Sequence, residues 1–173
     1  AGPPRAGTDA RTAFARPGWP GGPIGRAGAP GAPGDTALPL FRPHPAAAAE
    51  RLRGEDVVYV TGGSTANMPA VWELHGVGGA LREAWGRGAV MAGVSAGAIC
   101  WFGGLSNSLG AGWAPVAGIG LVAGGFCPHA DSDPRRLEAS RLVERGAMPP
   151  TLAVDDGCAV HLAPGAPARA LTA

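Results

Sequence analysis

The stretch from Gly88 to Trp101 constrains the fold more than any other part of the chain. A short apolar run passes there into Gly93-Val94-Ser95-Ala96-Gly97 and then at once into a second apolar segment. This order is typical of a buried strand that turns sharply into a helix, and glycines around Ser95 allow two backbone segments to approach closely. The pattern predicts that the Ser95 hydroxyl is exposed at the carboxyl end of a strand.

A second apolar run ends in a similar glycine turn. Asp56–Val60 is a continuous run of β-branched and aromatic residues, which predicts a strand buried on both faces. It passes through Thr61–Thr65 into a helical pattern that begins near Asn67. Two strands that are each followed by a turn and a helix predict a parallel α/β sheet.

The helical pattern after Asn67 is predicted to be amphipathic and to consist of two pieces. Its apolar positions near one helical face are Val71, Leu74, Leu81 and Trp85. Glycines at positions 76, 78 and 79 divide the pattern. The other predicted elements are helices at 45–52, 96–102 and from 133 onward, strands at 37–41, 89–94, 152–154 and 158–162, a strand that ends before 129, and a loop at 103–114.

Residues 1–34 differ in composition from the rest of the chain. Sixteen of these 34 positions are Gly or Pro, and the segment shows no sustained strand or helix period. Such a sequence cannot bury enough apolar surface to offset the entropy lost on ordering. We therefore expect residues 1–34 to be disordered or irregular, and residues 35–173 to form the α/β domain.

Composition favours a globular protein without nucleic-acid or membrane partners. The net charge of +1 gives no electrostatic basis for binding nucleic acid or an anionic membrane, and no apolar run is long enough to span a bilayer. The three cysteines, Cys100, Cys127 and Cys158, lack metal-ligand spacing, which predicts buried thiols in a reducing compartment. We expect a cytoplasmic protein that needs neither a metal nor another cofactor.

The residues around Ser95 favour nucleophilic catalysis. Cys100 is the rival nucleophile, but it lies a turn or more into the predicted helix, where a thiol is packed. If the strands before Gly63 and Ser95 are neighbours, the N–H groups of Gly63 and Ala96 can stabilise the same oxyanion. A phosphate loop is a weaker alternative for the glycine turn, because neither nucleotide-binding glycine pattern is present.

A serine nucleophile needs a base and an acidic group that orients the base. His129 is favoured among the four histidines because it follows a predicted strand, at the sheet edge where sites gather. His161, on a predicted strand, is the alternative, whereas His44 and His75 are expected on the surface. Asp155-Asp156 follows another predicted strand and supplies the acid, and Asp131 is a less favoured choice.

Several separated motifs together resemble one family. They are Val58–Asn67, Leu81–Trp85, Ala92–Phe102, Phe126–His129 and Asp155–Gly157. In order and spacing they resemble peptidase E, the aspartyl dipeptidase family of serine peptidases, which is related to cyanophycinases. The resemblance extends over residues 36–165 and implies a three-layer parallel-sheet fold, like flavodoxin and the class I glutamine amidotransferases.

The resemblance also implies roles for individual residues. Ser95 takes the position of the nucleophile, His129 that of the base and Asp156 that of the third member of the triad. Gly63 and Ala96 would form the oxyanion hole. The implied reaction is hydrolysis of short peptides, including dipeptides with an N-terminal Asp, through an acyl-enzyme.

The implied substrate contacts lie outside the triad. Arg135 and Arg136 follow the histidine loop, where aspartyl-specific members carry the arginine that binds the Asp side chain. Asn107 stands where the family commonly has Asp, in the loop after the nucleophile helix. The expected partner is a small peptide substrate, with a homodimer as an option.

The N-terminal segment departs from the family pattern and supports an alternative hypothesis. Residues 1–34 do not resemble the strand, glycine turn and second strand with which the family begins, so we expect the first strands to be missing. The alternative is therefore a catalytically inactive or fragmentary α/β domain that binds a ligand. An amidotransferase-like enzyme is disfavoured because the turn holds Ser95 rather than cysteine.

Overall fold

Four parallel strands form the largest sheet in the computed structural model. The described residues are 8–10, 36–37, 45–106, 112–131 and 134–172. The strands of this sheet are β1 (Thr8–Ala10), β2 (Thr36–Ala37), β3 (Val57–Val60) and β4 (Val90–Gly93). Their order is β2-β1-β3-β4, and each neighbouring pair is parallel. The predicted α/β class is confirmed.

Short helices follow the strands, as the sequence predicts. The helices are α1 (Pro45–Arg53), α2 (Asn67–Leu74), α3 (Val77–Gly86), α4 (Ala96–Ile99) and α5 (Arg135–Glu144). Gly76 separates α2 from α3 in the left-handed conformation, with φ 66°. None of the helices in the described ranges is both long enough and apolar enough to cross a membrane.

The other strands form three pairs. They are β5 (Gly103–Ser106), β6 (Ala114–Ala117), β7 (Gly125–Pro128), β8 (Thr151–Val154), β9 (Cys158–His161) and β10 (Arg169–Thr172). β5 and β6 are antiparallel, as are β9 and β10, whereas β7 and β8 are parallel. The parallel β7–β8 pair brings the ends of two sequence-distant segments to one edge.

Two hydrophobic clusters hold these elements together. The first joins α1, β3, α2, α3 and α4, and its fully buried side chains include Leu52, Trp72 and Leu81. The second lies between α5 and strands β5 and β7, and includes Cys127 and Leu142. α4 also packs against β7, so the two halves of the domain are in contact.

Several local predictions need correction. The helix after Ser95 ends at Ile99 rather than at 102, and Gly103–Ser106 is a strand where we expected a loop. β3 is buried on alternate residues rather than on both faces. Leu74 was predicted on the apolar face of the helix but is 78% exposed. The buried face of α2 instead carries Met68 and Trp72.

The N-terminal segment also differs from expectation. Thr8–Ala10, inside the stretch predicted to be disordered or irregular, forms β1 and pairs with β3 from Thr8↔Val58 onward. This strand occupies the sheet position beside β3 that was expected to be empty. The rest of residues 1–34 lies outside the described ranges.

Candidate active site

Ser95 lies at a sharp turn between β4 and α4, as the sequence predicts. Its backbone has φ 57° and ψ −123°, a conformation that non-glycine residues rarely adopt. The Ser95 carbonyl accepts hydrogen bonds from Ala98 N–H and Ile99 N–H, at 3.0 and 3.1 Å. These bonds start the helix while leaving the serine side chain outside it.

Close backbone approach explains the glycines of this turn. A Cβ atom at Gly97 would overlap the carbonyl oxygens of Val60 and Thr61 at the end of β3. A Cβ at Gly62 would lie 3.4 Å from Ser95 Cβ and 3.8 Å from Ser95 Oγ. The glycine turn after β3 therefore packs directly against the predicted nucleophile.

The predicted oxyanion donors lie at these two turns. Gly63 follows Gly62 in the turn that contacts Ser95, and Ala96 is the first residue of α4. Within the described ranges, neither the Gly63 N–H nor the Ala96 N–H donates a hydrogen bond to another protein group. The predicted donors therefore lie in the two segments adjacent to Ser95.

His129 and Asp156 meet at the ends of a parallel strand pair. The register places Pro128 of β7 opposite Val154 of β8, so both strands stop at the same edge. His129 Nδ1 lies 2.5 Å from Asp156 Oδ1. Because a carboxylate only accepts, Nδ1 is the donor, which leaves Nε2 available to a nucleophile.

The structure separates the two adjacent aspartates. Asp156 contacts His129, whereas the Asp155 carbonyl accepts the Cys158 N–H at 3.2 Å and closes the turn. Asp131 contacts Asp156 as well, through a hydrogen bond of 3.0 Å from the Asp156 N–H to Asp131 Oδ1. Sequence reasoning missed this last contact.

The Ser95 turn and the His129–Asp156 pair lie on elements that pack together. α4 contacts β7, and Phe102 stacks on Phe126 of β7 with ring centroids 5.2 Å apart. No hydrogen bond joins Ser95 Oγ to His129 in the part of the chain that the structure describes. Catalytic hydrogen bonds are often long without substrate and shorten in the substrate complex.

Comparison with known proteins now gives the family. Residues 34–166 match Peptidase family S51, well over half of the chain. The chain belongs to this family. An uncharacterized peptidase, YgaJ, of Bacillus subtilis (strain 168) is 40% identical over 126 residues, which cover 72% of this chain.

The S51 chain also resembles a solved structure. A candidate peptidase E protein from Listeria monocytogenes EGD-e superposes with a TM-score of 0.64 at 18% identity, over 80% of this chain and 70% of that one. At this identity the likeness shows the shared fold. The chain spans 54% of the length of the Bacillus relative. The resemblance to peptidase E seen in the sequence is confirmed.

The two arginines of the S51 chain predicted to bind substrate have different surroundings. The Arg135 guanidinium lies over the Trp113 ring, 4.6 Å from its centroid. Arg136 instead lines a cavity of about 220 Å³ between α5 and the β7–β8 pair, whose lining residues do not include Ser95 or His129. The third predicted contact, Asn107, lies outside the described residues.

The rival catalytic residues lie in other environments. Cys100 is buried, its thiol donates to the Gly97 carbonyl at 2.9 Å, and burial raises the pKa of this thiol well above its usual value. His161 lies opposite Arg169 in the antiparallel β9–β10 pair, and both residues are exposed. His75 is half-buried in the turn after α2, and His44 lies outside the described residues.

In the ranges that the structure describes, no three His, Cys, Asp or Glu side chains are grouped to hold a metal ion. Cys127 is buried as predicted, but Cys158 is exposed, contrary to the prediction for all three thiols.

Proposed function

We propose that this chain is a serine peptidase of family S51 that cleaves short peptides through an acyl-enzyme on Ser95. One observation carries the proposal. Among the described residues, the non-glycine residues with positive φ are Ser95 at 57° and His129 at 56°, the predicted nucleophile and base. Strained backbone persists where the surrounding structure enforces it, and it clusters at active sites.

The proposed reaction begins with attack of Ser95 Oγ on the peptide carbonyl carbon. His129 Nε2 takes the hydroxyl proton, and the Asp156 carboxylate stabilises the imidazolium through Nδ1. The N–H groups of Gly63 and Ala96 stabilise the oxyanion. The C–N bond then breaks as His129 protonates the leaving amine, and water hydrolyses the acyl-enzyme by the same proton transfers.

The preferred substrate is proposed to carry an N-terminal aspartate. An arginine near the histidine loop suits a carboxylate, because the planar guanidinium forms two parallel hydrogen bonds. Arg135 is the better candidate of the two, since the Trp113 ring restricts its guanidinium. We also propose that the whole domain has the three layers of the amidotransferase-like fold, and that Asn107 lies near the substrate amine.

A fluorophosphonate probe together with a dipeptide assay tests the proposal. The parent should be labelled at Ser95 and should cleave Asp-Leu faster than Leu-Leu. Ser95→Ala should lose labelling and at least 1,000-fold of kcat, consistent with the loss of a triad nucleophile. Ser140→Ala, which removes an exposed serine of α5, is the matched control and should retain both.

The same experiment tests the alternative of a non-catalytic domain. A folded parent that neither reacts with the probe nor cleaves dipeptides would support the non-catalytic domain. Cleavage by Ser95→Ala at the parental rate would also contradict a serine mechanism.

A further inference from the structure

Asp131 forms a second contact to the residue that orients the predicted base. Its Oδ1 atom accepts the backbone N–H of Asp156 at 3.0 Å, while the Asp156 side chain binds His129. Asp131 is exposed, and this bond joins the loop after β7 to the turn after β8. The carboxylate is thus bound to the main chain of the acid rather than to the histidine.

A further hydrogen bond between described residues connects the same two segments. Besides the two bonds to Asp156, the Ala130 N–H donates to the Val154 carbonyl at 3.1 Å. That bond fixes the ends of the strands, but it does not orient the Asp156 side chain. The Asp156 side chain is 54% exposed, so its burial contributes little to fixing its orientation.

We propose that Asp131 is a positioning residue for the catalytic triad, an inference that rests on the proposed function. By holding the Asp156 N–H, it fixes the peptide plane from which the Asp156 carboxylate reaches His129 Nδ1. A charge-assisted hydrogen bond from a backbone N–H to a carboxylate is stronger than a neutral one. Small displacements of catalytic groups reduce rates strongly, by as much as about 100-fold for 1 Å.

The acceptor oxygen of Asp131 is the group that performs this role. Asp131→Ala removes it and should lower kcat and the rate of fluorophosphonate labelling at Ser95 about tenfold. KM should stay within about twofold, because the proposed role of Asp131 involves no contact with substrate. Asp131→Asn retains an oxygen that accepts the same N–H and should restore both rates to within about threefold of the parent.

Hydrogen–deuterium exchange supplies a readout that does not depend on catalysis. Asp131→Ala should accelerate exchange in the turn at 155–157 while β8 keeps its protection, and Asp131→Asn should not. Asp155→Ala, which removes the neighbouring carboxylate, is the matched control and should leave kcat and labelling within twofold of the parent.

The outcomes separate this inference from the proposed function. Parental exchange and rates in Asp131→Ala would overturn the positioning role, and so would an Asp131→Asn variant as slow as Asp131→Ala. A parent that is not labelled would refute the proposed function. Hydrogen–deuterium exchange at 155–157 in Asp131→Ala would then still show whether the Asp131 side chain stabilises this turn.

Discussion

Backbone strain and hydrogen bonding distinguish individual residues of the candidate site. Ser95 and His129 both have positive φ, a conformation that costs a residue with a side chain of the order of 1–2 kcal/mol. Neighbouring hydrogen bonds stabilise both conformations. The Ser95 carbonyl accepts the first hydrogen bonds of α4, and the His129 side chain binds the Asp156 carboxylate. The geometry selects one carboxylate of the Asp155-Asp156 pair.

Replacing Asp156 should therefore impair catalysis far more than replacing Asp155. Asp156→Asn removes the charge that stabilises the His129 imidazolium, and we expect kcat to fall about 100- to 10,000-fold. Asp155→Asn should stay within twofold of the parent, because the Asp155 side chain does not contact His129. Dipeptide hydrolysis measures both, and similar losses in the two variants would contradict this assignment.

At the scale of elements, the connection between α2 and α3 depends on one glycine conformation. Gly76 directly precedes α3 and has φ 66°, whereas Gly79 lies on the exposed side of α3. A Cβ atom at either position would have nothing within 4 Å. Replacing these two glycines therefore tests backbone conformation without a change in packing.

The two alanine substitutions should have opposite effects on stability. Gly79→Ala should raise the free energy of unfolding by about 0.5–1 kcal/mol, since alanine is the better helix former. Gly76→Ala should lower it by about 1–2 kcal/mol, because alanine at positive φ is strained. Thermal unfolding of both variants checks the prediction, and a Tm shift in the same direction for both would refute it.

At the scale of the whole molecule, the candidate site lies between the two hydrophobic clusters. Ala96 of α4, the helix that follows Ser95, belongs to the first cluster, as does Cys100 directly after this helix. β7, which leads to His129, contributes Cys127 to the second. The relative position of Ser95 and His129, the predicted nucleophile and base, therefore depends on the packing of α4 against β7.

The buried face of α2 and α3 can be tested with two leucines. Leu81 is fully buried in the first cluster, so Leu81→Ala should lower the free energy of unfolding by about 2–5 kcal/mol. Leu74 is 78% exposed, and Leu74→Ala should change the free energy of unfolding by no more than about 0.5 kcal/mol. Urea denaturation measures both, and equal losses would contradict the observed burial.

Local pattern predicted much of this domain. The turn at Ser95, the parallel order of β3 and β4 and the division of the helical pattern at Gly76 are all confirmed. These features follow from residue types that are close in sequence. Spacing was less reliable for burial, since Leu74 matched the apolar pattern but points to solvent, whereas Trp72 is buried.

By itself, then, the sequence determined the strand–turn–helix units and the family to which the chain belongs. Only the tertiary structure decided that Asp156, rather than Asp155, meets His129, and that Asp131 holds the Asp156 backbone. It also placed β1, from a Gly- and Pro-rich segment, beside β3. The physical reason is that strand pairing and side-chain direction at strand ends depend on segments far apart in the chain.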